Sequence, residues 1–221
     1  MTTKFRAVIF DLDGTLLNTL DDLADSANHV LRRLGLPEHD TEKYKYFVGN
    51  GIPKLIERIL PADRQELHGR ALEMFSEHYG AHSRDKTAPY DGIKDMLVRL
   101  RRLGLPLGVI TNKAHLIALD VVDYYFGKGC FDCVRGLDDT IKAKPSPDGA
   151  LDVAAKLGVQ PSEVLYLGDT KTDMQTAVNA GFVPCGVLWG FRKRDELEEN
   201  GAKYIISAPD EIFGILDGEN A

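Results

Sequence analysis

The chain has 221 residues, 43% of them hydrophobic, with a formal net charge of −7 and an isoelectric point near 5.4. That is enough for one sizeable core, or for one core carrying a small inserted module. The acidic balance excludes broad nucleic-acid binding, since neutralising a run of phosphates takes a clustered basic face and none is present. An anionic substrate has to be met by local groups.

Three cysteines cannot all pair within one chain, and Cys130 and Cys133 form an isolated C-x-x-C with no second ligand pair, so reduced thiols are expected. Residues 1–6 are short and polar, and no run approaches a membrane span; a cytoplasmic protein with no membrane partner is the expectation.

In chain order, an apolar run at 6–10 predicts the first strand. The stretch from about 20 to about 82 then carries helical patterning and no buried strand: 21–34 ending at Gly35, 53–60, and 62–79 ending at Gly80. Linkers at 16–20 and 83–89 join this insertion to the remainder, at neighbouring points that would let it pivot as a lid. Strict alternation follows. Helices are predicted at 93–103, 116–126, 147–157, 172–180 and 192–200, and strands at 107–110, 131–134 (the weakest), 164–167, 184–188 and 204–206. Gly104, Gly158 and Gly181 stand where helices should stop. The pattern is α/β: a doubly wound, Rossmann-like parallel sheet core over 1–16 and 84–221, with an inserted α-helical cap over 17–83.

Chemistry gathers at the strand ends. Phe10-Asp11-Leu12-Asp13-Gly14-Thr15 follows the first strand. Acids there are expensive to bury unless a cation or hydrogen bonds hold them, and alternation sends Asp11 and Asp13 to one side. One carboxylate can serve as nucleophile and metal ligand while the other moves a proton, although an Asp-x-Asp turn could also be structural. After the second core strand, Thr111 and Asn112 precede Lys113 and a helix. A hydroxyl and free amides at a helix start suit a phosphoryl oxygen, and an N-cap threonine is the equally simple reading.

Lys144-Pro145-Ser146-Pro147 is stiff enough to fix an ammonium ahead of a helix, where it can offset growing negative charge; Lys142 reads as solvated. Gly168-Asp169-Thr170-Lys171-Thr172-Asp173 ends the next strand with two acids four residues apart. Oxygen ligands of this kind suit Mg²⁺, and Asp173 could instead be an acid favoured by the helix dipole.

These four clusters in this order resemble the haloacid dehalogenase superfamily of phosphatases, over nearly the whole chain. The helical insertion directly after the first motif looks like the cap of the phosphoglycolate-phosphatase-like branch. The resemblance implies a strand order of 5-4-1-2-3 about the first strand. It implies Asp11 as nucleophile and Asp13 as acid and base. It further implies Mg²⁺ held by Asp11, the main-chain carbonyl of Asp13, Asp169 and, through water, Asp173. Thr111, the Asn112 amide and Lys144 would hold the phosphoryl group. Substrate choice would lie in the cap, where Val48-Gly49-Asn50-Gly51-Ile52-Pro53-Lys54 forms an amide-rich loop opening a helix. Gly49, Asn50, Gly51 and Lys54 would read the leaving group, or the loop is only a tight turn.

The expected partner is a small phosphorylated metabolite, first 2-phosphoglycolate, with pyrophosphate and sugar phosphates behind, acted on by a monomer or homodimer. A phosphomutase and a non-catalytic phosphate-binding module remain the alternatives. Asn18 and Tyr90-Asp91-Gly92 depart from the branch's usual pattern without touching this chemistry. The six histidines show no ligand spacing and receive no metal role, and Trp189 is expected to pack.

Overall fold

The computed structural model describes residues 4–218; residues 1–3 and 219–221, at the outer ends of the expected core segments, lie outside the described residues. β1 (Ala7–Phe10) is buried at every position, as an uninterrupted apolar run must be when helices cover both faces of a parallel sheet. β2 (Leu17–Asn18) follows, then α1 (Leu20–Arg33), α2 (Thr41–Phe47), α3 (Ile52–Ile59) and α4 (His68–His82). The chain returns through β3 (Ala88–Pro89) to α5 (Ile93–Arg102), β4 (Leu107–Ala114), α6 (His115–Phe126), β5 (Cys133–Leu137) and α7 (Asp148–Leu157). It ends in β6 (Val164–Gly168), α8 (Lys171–Ala180), β7 (Val183–Val187), α9 (Arg194–Glu199), β8 (Tyr204–Ile206) and α10 (Ile212–Asp217).

Six strands form one sheet in the order β5-β4-β1-β6-β7-β8, all parallel, with Val8 of β1 opposite both Leu107 and Leu165. This is the expected order, with β8 added at one edge. The direction of winding reverses at β1, and such a switch point opens a crevice at the carboxyl ends of the strands. Apolar side chains fill both faces, Phe10, Leu97 and Leu107 on one side and Ile9, Val153 and Tyr166 on the other.

The four inserted helices close their own apolar cluster, built from Leu23, Val30 and Leu31 of α1, Tyr44 of α2, Ile56 of α3 and Phe75 of α4. Two ties hold the linkers together. Leu17 pairs with Pro89 and Asn18 with Ala88 in a short antiparallel ribbon. Buried Asp22, on the first turn of α1, accepts from Lys86 N (2.9 Å), Thr87 N (2.8 Å) and Thr87 Oγ1 (2.7 Å).

Some elements differ from expectation. α2 was not predicted, because its seven residues bury only Tyr44 and so show no helical period. The expected helix at 62–79 is a 3₁₀ segment, Ala62–Leu67, broken by non-helical Arg64 before α4 begins. β4 continues past Ile110 to Ala114, which pairs with Leu137 after a register shift. Thr111, Asn112 and Lys113 therefore stand on extended backbone, and the N-cap reading of Thr111 does not hold, since α6 begins at His115. Among the described residues no helix is long and apolar enough to cross a membrane, and the three cysteines are unpaired.

Candidate active site

The carboxyl ends of β1, β4 and β6, with the segment between β5 and α7 that carries Lys144, bring the four expected clusters together. Asp11, one residue beyond β1, is buried, and its Oδ1 lies 2.7 Å from Lys144 Nζ. The same ammonium lies 2.6 Å from Asp173 Oδ1 and donates to Ile110 O and Tyr166 Oη, each at 3.3 Å. The side chain of Asn112 fixes that lysine: Oδ1 accepts from Lys144 N at 2.8 Å and Nδ2 donates to Lys144 O at 3.3 Å. Nδ2 also donates to Gly49 O of the cap loop at 3.1 Å. Burial lowers the proton affinity of Lys144, but Asp11 and Asp173 more than offset it and keep the ammonium charged.

Asp169 is enclosed by backbone. Its Oδ2 accepts from Phe191 N at 2.8 Å and its Oδ1 from Thr15 Oγ1 at 3.1 Å. Gly14 and Gly190 make this enclosure possible, because a Cβ on either would come within 2.4 Å or less of an Asp169 atom. Asp173 is held from α8's start, where its Oδ2 accepts from Thr170 N at 3.0 Å in a capping box.

Oxygens of Asp11, Asp169 and Asp173 lie within 4.8 Å of one another, all three residues buried. Burial first, and then the Asp173 charge, raises both Asp11 and Asp169 above the usual carboxylate range, Asp169 to about 7. One ammonium does not neutralise three such carboxylates, and an all-oxygen, electron-rich cluster fits a hard divalent cation.

Asp11, Asp13, Thr111, Asn112 and Lys144 line one pocket of about 50 Å³, together with Gly49 and Gly51 of the cap loop. Its remaining cap wall is apolar: Leu23, Val48, Ile52 and Leu55. Asn50 and Lys54 do not line it. Asn50 donates to Thr172 Oγ1 at 3.1 Å and accepts from Arg58 at 2.7 Å, while Lys54 forms an exposed pair with Glu57 at 2.6 Å.

Three residues given no role by the sequence reading stand out. Lys113 Nζ lies 2.9 Å from Asp13 Oδ1 and 3.1 Å from Tyr79 Oη of α4. Phe191, which follows β7, packs into the cap cluster while its amide holds Asp169. Buried Arg192 reaches Val48 O at 3.4 Å and covers Tyr46. Lys113 had a signal in its adjacency to Asn112; for Phe191 and Arg192 the sequence shows only aromatic and basic residues after a strand. Trp189 packs as expected, its Nε1 donating to Thr15 O at 2.9 Å.

A family model for haloacid dehalogenase-like hydrolases matches residues 8–187. The chain belongs to that family, and it is an enzyme of the hydrolase class. Among relatives, the phosphoglycolate phosphatase of Chromobacterium violaceum is 34% identical over 216 residues, covering 96% of each chain. That of Aquifex aeolicus is 30% identical, covering 96% of this chain and 97% of its own. A crystal structure from Lactobacillus delbrueckii subsp. bulgaricus superposes with a TM-score of 0.91 at 31% identity, over 96% of this chain and 98% of that one. Within the family the chain falls in the phosphoglycolate-phosphatase-like branch with a helical cap.

Proposed function

We propose that this phosphatase hydrolyses a small phosphomonoester, 2-phosphoglycolate first, through a phosphorylated Asp11. The observation that carries the reading is the buried Asp11 carboxylate, 2.7 Å from Lys144 and sharing a small pocket with Asp13. The substrate is supported by the names of the relatives and by a small pocket, about 50 Å³, whose cap wall is apolar.

A carboxylate oxygen of Asp11 attacks phosphorus in line, forming an acyl phosphate as the bond to the leaving oxygen breaks. Asp13 delivers a proton to that oxygen, then takes one from the water that attacks the phosphorylated Asp11 and releases inorganic phosphate. Thr111 Oγ1 and the Asn112 amide hold the phosphoryl oxygens. Lys144 offsets their charge from a fixed position, so little reorganisation accompanies transfer. Mg²⁺, when bound, neutralises charge between the phosphoryl group and Asp11; Asp11, the Asp13 carbonyl and Asp169 would hold it, with Asp173 acting through water. Residues 17–83 act as a cap on the core of 1–16 and 84–221, and the paired linkers supply its hinge.

Phosphate release with Mg²⁺ across phosphoglycolate, pyrophosphate, sugar phosphates and nucleotides tests this, with Asp11→Asn as the blank. Phosphoglycolate should lead in kcat/KM, and the blank should fall at least ~1,000-fold. Retained turnover in the blank would remove Asp11 as nucleophile, and a lead by another ester would replace the substrate.

A further inference from the structure

Two lysines line the pocket and are held differently. Lys144 meets two carboxylates, Asp11 at 2.7 Å and Asp173 at 2.6 Å, and under the phosphatase reading is committed to the phosphoryl end. Lys113 meets one carboxylate, Asp13 at 2.9 Å, and the hydroxyl of Tyr79 at 3.1 Å. Lys113 Nζ also donates to Asp13 Oδ2 at 3.2 Å, so two of its three donors go to a single carboxylate, and a substrate carboxylate would take the place of that longer bond.

The cations of α3 are engaged elsewhere. Lys54 pairs with Glu57, and Arg58 donates to Phe47 O and Asn50 Oδ1, each at 2.7 Å. What the cap presents to the pocket besides the glycines of its loop is Leu23, Val48, Ile52 and Leu55. Such a wall leaves the hydroxyls of a sugar unpaired, and among the side chains that line the pocket Lys113 is the cation not committed to the phosphoryl end.

We propose that Lys113, steadied by Tyr79, binds a carboxylate on the leaving group, so that specificity for short carboxylated phosphomonoesters is read from the end of β4 rather than from Asn50 and Lys54. The inference rests on the phosphatase reading for the placement of the phosphoryl group. It also couples the two layers: Lys113 belongs to the core and Tyr79 to α4, so the carboxylate site is complete only where they meet.

The test compares 2-phosphoglycolate with ethyl phosphate, in which a methyl replaces the carboxylate, in the intact protein with Mg²⁺. Lys113→Met should lower the ratio of their kcat/KM values by ~10- to 100-fold, the range for losing a charged hydrogen-bond partner. Tyr79→Phe, which keeps the ring's packing, should lower it by ~3- to 10-fold. Equal slowing of both esters by Lys113→Met would overturn the proposal, leaving the lysine as a positioner of Asp13 alone.

Calorimetric binding of both esters to Asp11→Asn and to Asp11→Asn/Lys113→Met gives a second readout without turnover. A Lys113-dependent preference for phosphoglycolate supports the carboxylate site even if the wild type releases no phosphate, in which case the phosphatase reading alone falls. An unchanged preference in the double variant overturns the carboxylate site even if turnover is high.

Discussion

The two halves that meet at the pocket are built on different physics. The core half buries charge: Asp11, Asp169 and Asp173 crowd together where the strands end, and Lys144 pairs with Asp11 and Asp173. The cap half buries carbon, with apolar helix faces around Tyr44 and Phe75 and an apolar wall toward the pocket. The difference separates two tasks. Fixed charges lose their value if they move, so they stand just past the ends of a sheet held by its hydrogen-bonded ladder; a non-directional apolar surface can close on a substrate and still release it.

The sharpest way to break this comparison is to remove the charge that holds the core half together. Lys144→Met should destabilise the protein by about 3–5 kcal/mol, because it leaves buried carboxylates without their cation, and phosphate release should fall to the Asp11→Asn level. Urea denaturation reads the first effect. A loss below ~1 kcal/mol would mean that the carboxylates are held by their hydrogen bonds and not by the ion cluster.

Phe191→Ala probes the point where the halves interlock, since its ring lies in the cap cluster while its amide binds Asp169. The cavity should lower stability by about 3 kcal/mol and raise KM as the cap seats less firmly. A stability loss with unchanged KM would uncouple the cap cluster from the site.

The smallest expected effect sharpens the account of the cap alone. His78 stacks on His29 and His82, with centroids 4.0 and 4.3 Å apart, and its Nδ1 lies 3.0 Å from Ser26 Oγ. Burial first, then the neighbouring imidazoles, lower its proton affinity, with Asp25 and Asp85 opposing. A folded value below the ordinary 6.5 means the unfolded chain takes the proton first as pH falls, so stability is full above that value and declines below it. Melting temperature should drop modestly between about pH 7 and about pH 5, and His78→Gln should flatten the profile. An identical pH profile in the variant would assign the decline to other groups.

Much of this was legible from residue order. The apolar runs that became β1, β4 and β6 needed no tertiary information, because a strand covered on both faces must be apolar throughout, and the acids that follow it are marked by contrast. Asp11, Asp13, Asp169 and Asp173 were visible for that reason. Asn112 was singled out for its amide, whereas its side chain clamps Lys144 from 32 positions away in sequence. α2 was hidden because a helix with one buried residue, Tyr44, leaves no period.

By itself, the sequence determined the alternation of strands and helices, the inserted helical run and the acids at the strand ends, since each is written in local spacing and local hydropathy. Only the tertiary structure decided the partners: Lys113 with Asp13 and Tyr79, Phe191 with both Asp169 and the cap, Asp22 with the returning linker. Those contacts join residues from 22 to 100 positions apart. A lone polar or aromatic residue carries no mark of what it will meet once the chain folds, because the energy of such a contact depends on distance and burial rather than on its neighbours in sequence.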